Sequence, residues 1–329
     1  MKQLVLLYVI IASLTVKAQT ETQVAKFFGN RQAAISYTFD DGLLEHYTMV
    51  FPRLKAHGIK ATFCIIGSKI GGDHKGIPCM TWAQLREMAA DGQEITSHGW
   101  QHKAVTNLSE AELRYEVQHN DTIIQDSVGV FPRTYFYPGN RKSVETIAFC
   151  TQDRVGTRLR QVDVGSRRDS LWLLGWVRQL LDNGAWGITM THGITIGYDA
   201  FKDPDILWNH FRQVDSLRDQ IWIATFHDVS AYVKEQESIC LETIYNKEWL
   251  EIIPHLYLDP QLFHHSLTMI LPYSVSLVTQ NGVYLPIYVS NGQRCVDFNP
   301  FGGKILIKKN FEMENEQMHN VGRNEVENK

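Results

Sequence analysis

The stretch Ala33-Ala34-Ile35-Ser36-Tyr37-Thr38-Phe39-Asp40-Asp41-Gly42 joins a short apolar run to two adjacent carboxylates and a glycine. The run Ala33–Phe39 is typical of a buried β-strand, because it is short, apolar and bounded by polar residues. An Asp-Gly pair is also common in tight turns, so a turn without a function is the alternative interpretation. Residues 44–57 have the pattern of a helix and not of a returning strand, which favours a strand-to-helix unit with both carboxylates at the strand end.

The same alternation of short apolar runs and longer amphipathic segments continues to about residue 233. It indicates βαβ units and a mostly parallel sheet, either open or closed into a barrel. The predicted strands are Ala33–Phe39, Ala61–Ile66, Glu94–Ser97, Thr134–Tyr137, Gly187–Thr191 and Trp222–Phe226. The predicted helices are Thr81–Ala90, Ser109–Asp126, Leu173–Leu181 and Asp205–Leu217, and the second of them opens with a capping box.

Several polar side chains come directly after these predicted strands. Asp40 and Asp41 follow the first strand, His98 follows Glu94–Ser97, and His192 follows Gly187–Thr191. The carboxyl ends of parallel strands meet at one edge of a sheet, where sites are built, so we expect these side chains to lie together. A buried structural histidine is the alternative for His192. His227 also follows a predicted strand, but it has no partner motif and we interpret it as structural.

The histidines at positions 98 and 102 have the spacing of a metal-binding pair. A zinc peptidase of the HExxH type is disfavoured, because Gly99 stands where that motif needs a glutamate. Two imidazoles four residues apart can still reach one metal ion, although pairs at this spacing are also common on protein surfaces. Together with Asp41, His98 and His102 form a set of two histidines and one carboxylate, which leaves coordination positions open for water and substrate.

Together these motifs resemble the polysaccharide deacetylase family, also called the NodB homology domain or carbohydrate esterase family 4, over about residues 30–233. Thr38–Gly42 matches the first family motif, TFDDG, and the segment His98-Gly99-Trp100-Gln101-His102 matches the second. Thr191-His192-Gly193 matches the last motif. The resemblance implies an α/β fold, namely a distorted (β/α)7-type barrel.

The resemblance also implies roles for five residues. Asp40 is expected to be the general base and His192 the general acid. The expected metal ligands are Asp41, His98 and His102. Their nitrogen and oxygen donors suit Zn²⁺ best, with Co²⁺ or Fe²⁺ as alternatives.

The third family motif departs from its usual form in this chain. Tyr137 stands where the family has an arginine that holds the base aspartate. Asn140 is the nearest candidate for the backbone donor to the oxyanion, and Arg141 is a candidate for the missing charge. The fourth motif, a tryptophan beside an aspartate, is not evident, and Trp172 or Trp176 is the candidate substitute.

The resemblance implies a metal-dependent hydrolase that removes acetyl groups from an acetylated glycan partner, either N-acetyl amino sugars or O-acetyl glycans. The alternatives are a glycan-binding protein with weak turnover on the same scaffold and a metal amidase that acts on a non-sugar amide. The formal net charge is -4 and no basic block occurs, so nucleic acid is not an expected partner.

Both ends of the chain differ from the barrel segment. Lys2 precedes the apolar run Leu4–Leu14, and small residues follow it, which predicts a signal peptide over residues 1–18. The run is shorter than the roughly 20 residues that span a bilayer, so we expect export to the periplasm or medium without stable membrane insertion. A retained anchor is the alternative. A polar, disordered tail is predicted over residues 311–329.

The barrel is expected to occupy residues 19–235, followed by a small β-sandwich-like antiparallel domain over residues 236–310. Its predicted strands are residues 267–271, 275–278, 284–289 and 305–307. The pairs Asn281-Gly282 and Asn291-Gly292 predict hairpin turns, because type I′ turns need a positive φ at both central residues. We expect this domain to brace the barrel, with glycan binding as the alternative. The five cysteines are widely and irregularly spaced, so no disulfide is predicted.

Overall fold

The computed structural model describes residues 22–246, 248–272 and 275–309. The predicted signal peptide and the predicted polar tail lie outside these residues. A search of the described residues for a helix long and apolar enough to cross a membrane finds none.

The α-helices among the described residues have between 5 and 14 residues, and most of the strands are short. The helices are α1 (Phe51–Ala56), α2 (Trp82–Ala90), α3 (Glu110–Arg114), α4 (Asn120–Val128), α5 (Val144–Cys150), α6 (Ser170–Asn183), α7 (Asp205–Asp215) and α8 (Phe226–Ser238). The strands are β1 (Gln23–Val24), β2 (Ala33–Ser36), β3 (Thr38–Phe39), β4 (Thr62–Ile65), β5 (Asp73–His74), β6 (Ile77–Pro78), β7 (Glu94–Ser97), β8 (Thr134–Tyr135), β9 (Gly156–Thr157), β10 (Val162–Asp163), β11 (Trp186–Met190), β12 (Ile221–Ile223), β13 (Cys240–Tyr245), β14 (Trp249–His255), β15 (Leu267–Ile270), β16 (Val275–Gln280), β17 (Val283–Tyr284), β18 (Tyr288–Ser290), β19 (Gln293–Phe298) and β20 (Ile305–Lys309).

The first part of the chain forms a curled sheet of parallel strands. One sheet has the order β3-β4-β7-β8-β9 and a second has the order β10-β11-β2-β12. A parallel bridge between Phe39 and Thr191 links the two, and β2 and β3 are successive parts of one strand run. A core of apolar side chains that includes Phe63, Leu85 and Phe211 is buried between the sheet and the helices. The predicted distorted (β/α) barrel is confirmed.

Most predicted barrel elements are present, with shifts at their ends. The strand Glu94–Ser97 is observed as predicted, and the helix predicted at Ser109–Asp126 runs as α3, a π-helical segment and α4. The predicted strand Trp222–Phe226 is too long. It ends at Ile223, because the side chain of Thr225 accepts a hydrogen bond from the backbone N–H of Asp228 and caps α8.

The C-terminal part consists of two antiparallel sheets around a shared apolar core. Their orders are β13-β14-β20-β16-β17 and β1-β15-β19-β18. Asn281 and Gly282 have φ angles of 49° and 80°, and Asn291 and Gly292 have 49° and 70°, as type I′ turns require. The strand predicted over residues 284–289 is instead divided between the two sheets.

The two parts of the chain are joined by backbone pairing. Gln23 and Val24 pair with Ile270 and Met269, so these N-terminal residues belong to the C-terminal sheet although the sequence assigned them to the barrel. The hydroxyl of Tyr232 on α8 donates to the backbone carbonyl of Ala25 at 2.9 Å. The barrel and the β sheets therefore share an interface. The residues before β2 and the helix α8 both contribute to it.

Candidate active site

The residues singled out at the strand ends line one pocket. Asp40 and Asp41 follow β3, His98 follows β7, and His192 follows the bridge residue after β11. The pocket has a volume of about 300 Å³ and includes these four side chains together with His102 and Tyr198. The parallel register of the strands brings together residues that are more than a hundred positions apart.

Asp41, His98 and His102 form a cluster suited to one metal ion. Oδ1 of Asp41 lies 3.6 Å from Nε2 of His98 and 3.6 Å from Nε2 of His102, and the two Nε2 atoms lie 3.2 Å apart. Oδ1 of Asp41 is buried and has no hydrogen-bond partner among the described residues. Nδ1 of His98 lies 2.8 Å from the carbonyl of Phe136 and donates to it, which leaves the Nε2 lone pair facing the cluster. The set fits a divalent ion.

Burial sets the protonation of these three side chains. It raises the pKa of Asp41 to about 6, because this carboxylate lies away from water. Burial lowers the pKa of His98 to about 3 and that of His102 to about 4. Both imidazoles are therefore neutral near pH 7, which is the form that binds metals, and the Asp41 carboxylate lacks a positive partner that a cation would supply.

Asp40 is paired with an arginine that the sequence did not single out. The guanidinium of Arg158 donates to Oδ1 of Asp40 at 2.7 Å and to Oδ2 at 2.5 Å, and also to the hydroxyl of Thr38 at 2.6 Å. Burial favours the neutral form of Asp40, but the charge and hydrogen bonds of Arg158 outweigh it and hold the pKa below its usual range. Arg141, the candidate for this charge, is instead exposed at the surface.

The third-motif residues form part of the pocket wall in a different way from that predicted. Tyr137 is buried, and its hydroxyl donates to the hydroxyl of Thr157 at 3.0 Å. The backbone N–H of Asn140 donates to the carbonyl of Tyr137 at 2.9 Å. It is therefore already engaged and is not the free oxyanion donor expected from the sequence.

The tryptophans proposed for the fourth motif lie outside the pocket. Trp172 and Trp176 stack on each other in α6, and Trp176 packs 6.0 Å from the ring of His210. The aromatic neighbour of His192 is Tyr198, whose ring lies 5.0 Å away in a T-shaped arrangement. Because Tyr198 is 69% exposed, it also forms part of the pocket rim.

Two residues from the segment after β3 support the loop of His192. Nε2 of His46 lies 2.7 Å from the carbonyl of His192 and donates to it, and burial lowers the pKa of His46 to about 4, which keeps this ring neutral. The carboxylate of Glu45 accepts the backbone N–H groups of Ile194 at 3.0 Å and Thr195 at 2.8 Å. The loop that carries His192 is therefore fixed by neighbours of the Asp40-Asp41 motif.

A short hairpin covers one side of the cluster. It consists of β5 and β6 and belongs to the loop over residues 67–80. Nε2 of His74 lies 3.9 Å from Oδ2 of Asp41, and the ring of His74 lies 5.4 Å from that of His102. His74 is buried and lines the pocket, so this hairpin contributes to the site.

Comparisons with known proteins agree with the fold and the motifs. Residues 29–153 match the sequence model of the family described as "Polysaccharide deacetylase". A Bacillus subtilis protein named "Putative polysaccharide deacetylase YxkH" is 30% identical over 116 residues, which are 35% of this chain and 40% of that protein. The peptidoglycan-N-acetylglucosamine deacetylase PgdA of Listeria monocytogenes is 32% identical over 113 residues, 34% of this chain and 22% of the relative.

A solved structure shows the same fold at low sequence identity. The crystal structure of a "putative polysaccharide deacetylase" from Mycobacterium smegmatis superposes with a TM-score of 0.53 at 14% identity, over 69% of this chain and 98% of that one. The aligned segment spans less than half the length of the two curated relatives. The segment over residues 29–153 is therefore similar to the polysaccharide deacetylase family, and the fold of the barrel agrees with that similarity.

Proposed function

We propose that the protein is a metal-dependent deacetylase that removes acetyl groups from N-acetyl amino sugars or O-acetyl glycans. The observation that carries this proposal is the convergence of the Asp41, His98 and His102 cluster with Asp40 and His192 in one pocket. The names of relatives that act on peptidoglycan and on chitin support an acetylated polysaccharide as the substrate.

The metal ligands in this proposal are Asp41, His98 and His102, with Zn²⁺ as the first candidate and Co²⁺ or Fe²⁺ as alternatives. Such an ion supplies polarisation of the acetyl carbonyl and lowers the pKa of a water toward ~7. The hydrogen bond from Nδ1 of His98 to the Phe136 carbonyl orients one ligand before any ion binds.

The two proton-transfer residues are Asp40 and His192. Arg158 keeps Asp40 ionised, so this carboxylate is ready to accept the proton of the attacking water. His192 donates a proton to the departing nitrogen or oxygen of the sugar. The products are acetate and a sugar with a free amine or hydroxyl. Opposite proton tasks assigned to two separate side chains are the usual form of general acid–base catalysis.

The pocket rim favours a sugar ring. Tyr198 exposes most of its ring beside His192, and an exposed aromatic face is suited to packing against the apolar face of a sugar. The proposal includes export to the periplasm or to the medium, which the predicted signal peptide over residues 1–18 supports. In this proposal the mature chain is not stably inserted in a membrane.

One observation favours a second candidate, a glycan-binding protein with weak turnover. The backbone N–H of Asn140 is already used by Tyr137, so one donor expected for the oxyanion is engaged. An oxyanion donor contributes roughly 10²–10³ to turnover in other hydrolases, so its loss would slow the reaction without preventing binding.

The deciding experiment is acetate release by the purified chain from residue 19 onward. The panel contains acetylated chitin oligomers, peptidoglycan, O-acetylated xylan and a non-sugar acetamide, each with and without a chelator. Release from a glycan that the chelator abolishes supports the deacetylase. Release from the acetamide alone indicates the amidase. Glycan binding with metal retained and no release from any substrate indicates the binding protein.

A further inference from the structure

A second cluster of metal-binding side chains lies at the opposite end of the barrel strands. His227 and Asp228 are in the first turn of α8, and His265 lies in the segment before β15. The backbone N–H of His227 donates to Oε2 of Glu94 at 2.9 Å. Glu94 is the first residue of β7, whereas His98 follows its last residue, so the two clusters lie at opposite ends of the same strand.

The three side chains of this cluster have the geometry of a small ion site. Oδ1 of Asp228 lies 3.1 Å from Nδ1 of His227 and 3.4 Å from Nε2 of His265. One nitrogen or oxygen atom from each residue lies within 4.8 Å of the other two. Tetrahedral bonds of about 2.0–2.1 Å place ligand atoms roughly 3.3–3.4 Å apart, which is close to the two distances from Oδ1 of Asp228.

A buried carboxylate supports His265 from behind. Glu235 is fully buried, and its Oε1 lies 3.3 Å from Nδ1 of His265 and accepts the backbone N–H of that residue at 3.1 Å. Its Oε2 is buried without a hydrogen-bond partner among the described residues. Histidines that bind metals commonly donate their second ring N–H to a carboxylate in this way, which orients the ring and strengthens the ligand.

The charges of the cluster favour a bound cation. The carboxylates of Asp228 and Glu235 flank His265, and Glu94 lies against the backbone of His227. Carboxylates near a buried site need a positive partner, which a bound cation supplies.

We propose that His227, Asp228 and His265 bind one divalent cation of the zinc type, separate from the ion of the active site. Nε2 of His265 binds the ion, while Nδ1 of the same ring donates its hydrogen to the carboxylate of Glu235. The ion joins α8 of the barrel to the segment that leads into the C-terminal sheets. Its role is structural, and it does not depend on the proposed deacetylase activity.

The first test counts zinc per chain by native mass spectrometry after equilibration with zinc and removal of the excess. The wild-type chain should hold two ions, and the His265→Ala variant should hold one. The matched control is His264→Ala, which changes the exposed neighbouring histidine and should keep both ions. Equal zinc counts in the wild type and in His265→Ala would overturn the proposal.

The second test isolates the new site from the active site. In the His98→Ala/His102→Ala double variant, added zinc should still raise the melting temperature, because one site remains. Adding His265→Ala or Asp228→Asn to that background should abolish the shift, while circular dichroism checks that each variant is folded. If zinc leaves the melting temperature of the folded double variant unchanged, the cluster binds no zinc and the proposal is wrong.

Discussion

The guanidinium of Arg158 donates to both carboxylate oxygens of Asp40, although the two residues are 118 positions apart in the sequence. Both side chains are almost completely buried. Arg158 follows β9, whereas Asp40 follows β3. The guanidinium thus holds the carboxylate proposed as the catalytic base in place and keeps it ionised. Arg158 is a positioning residue, and its removal should affect both stability and turnover.

Loss of Arg158 should destabilise the folded chain. We expect Arg158→Met to lower the free energy of unfolding by ~3–5 kcal/mol, because Asp40 is left buried without a charged partner. Urea unfolding at pH 7 measures the change. The control Arg114→Met removes an exposed pair with Glu110 and should cost less than about 1 kcal/mol. In the Asp40→Asn/Arg158→Met double variant part of the loss should be recovered, and strictly additive losses would contradict the pairing.

The roles of the carboxylates can be separated by metal content. Asp40→Asn should keep the metal while acetate release falls by ~10²–10⁴, the usual contribution of a general base. His98→Ala and His102→Ala should lose both the active-site metal and the activity. Metal content by elemental analysis and steady-state rates on the best substrate check both expectations. A fully active Asp40→Asn variant would show that the base has been assigned to the wrong residue.

Glu45 should influence the rate through the loop of His192. Glu45→Gln weakens the acceptor of the backbone N–H groups of Ile194 and Thr195, so the histidine becomes less well placed. We expect kcat to fall by up to roughly 10²-fold with a smaller change in KM, because small misplacements of a catalytic group have effects of this size. The control is Glu110→Gln on the exposed face of α3. An unchanged kcat in Glu45→Gln would exclude the positioning role.

His210 should make the fold sensitive to acid. Its Nε2 lies 3.0 Å from the hydroxyl of Tyr37, and burial lowers its pKa to about 4. Between pH 6.5 and 4 the unfolded chain therefore binds the proton more readily than the folded chain, so this contribution to stability is full above pH 6.5 and declines as the pH falls.

The variant His210→Gln should remove this dependence. On going from pH 7.5 to pH 5, the wild type should lose about 2 kcal/mol more of its unfolding free energy than the variant. Urea unfolding of both proteins at the two pH values measures the difference. His264→Gln, at an exposed position, should behave as the wild type does. Parallel losses in His210→Gln and the wild type would show that the buried ring does not titrate in this range.

The barrel could be predicted because its longer strands carry a clear local pattern. The strand Glu94–Ser97 was predicted residue for residue, and the type I′ turns at Asn281 and Asn291 follow from the Asn-Gly pairs alone. The two-residue strands β9 and β10 were missed, because two residues show no periodicity. The helix α8 was missed because the predicted strand Trp222–Phe226 was extended past Thr225, the residue that caps this helix.

Some features of the candidate site could also be predicted from the sequence, and others could not. That Asp41, His98, His102 and His192 share one pocket could be predicted, because parallel strand ends meet at one edge. The pairing of Arg158 with Asp40 could not be predicted, because Arg158 follows the strand Gly156–Thr157, which is too short to recognise in the sequence. The contacts of His46 and Glu45 with the His192 loop also depend on tertiary packing that no local motif records.

The pairing of Gln23 and Val24 with β15 means that the C-terminal sheets are not a separable module. Besides the strand pairing, the backbone N–H of Ala25 donates to the Thr268 carbonyl at 2.8 Å, and that of Gly29 donates to the Thr268 hydroxyl at 2.8 Å. A fragment that begins near residue 236 would present β15 as an open edge strand, a ready template for aggregation. During synthesis, Gln23 and Val24 must likewise wait for Met269 and Ile270 to emerge before their strand hydrogen bonds are complete.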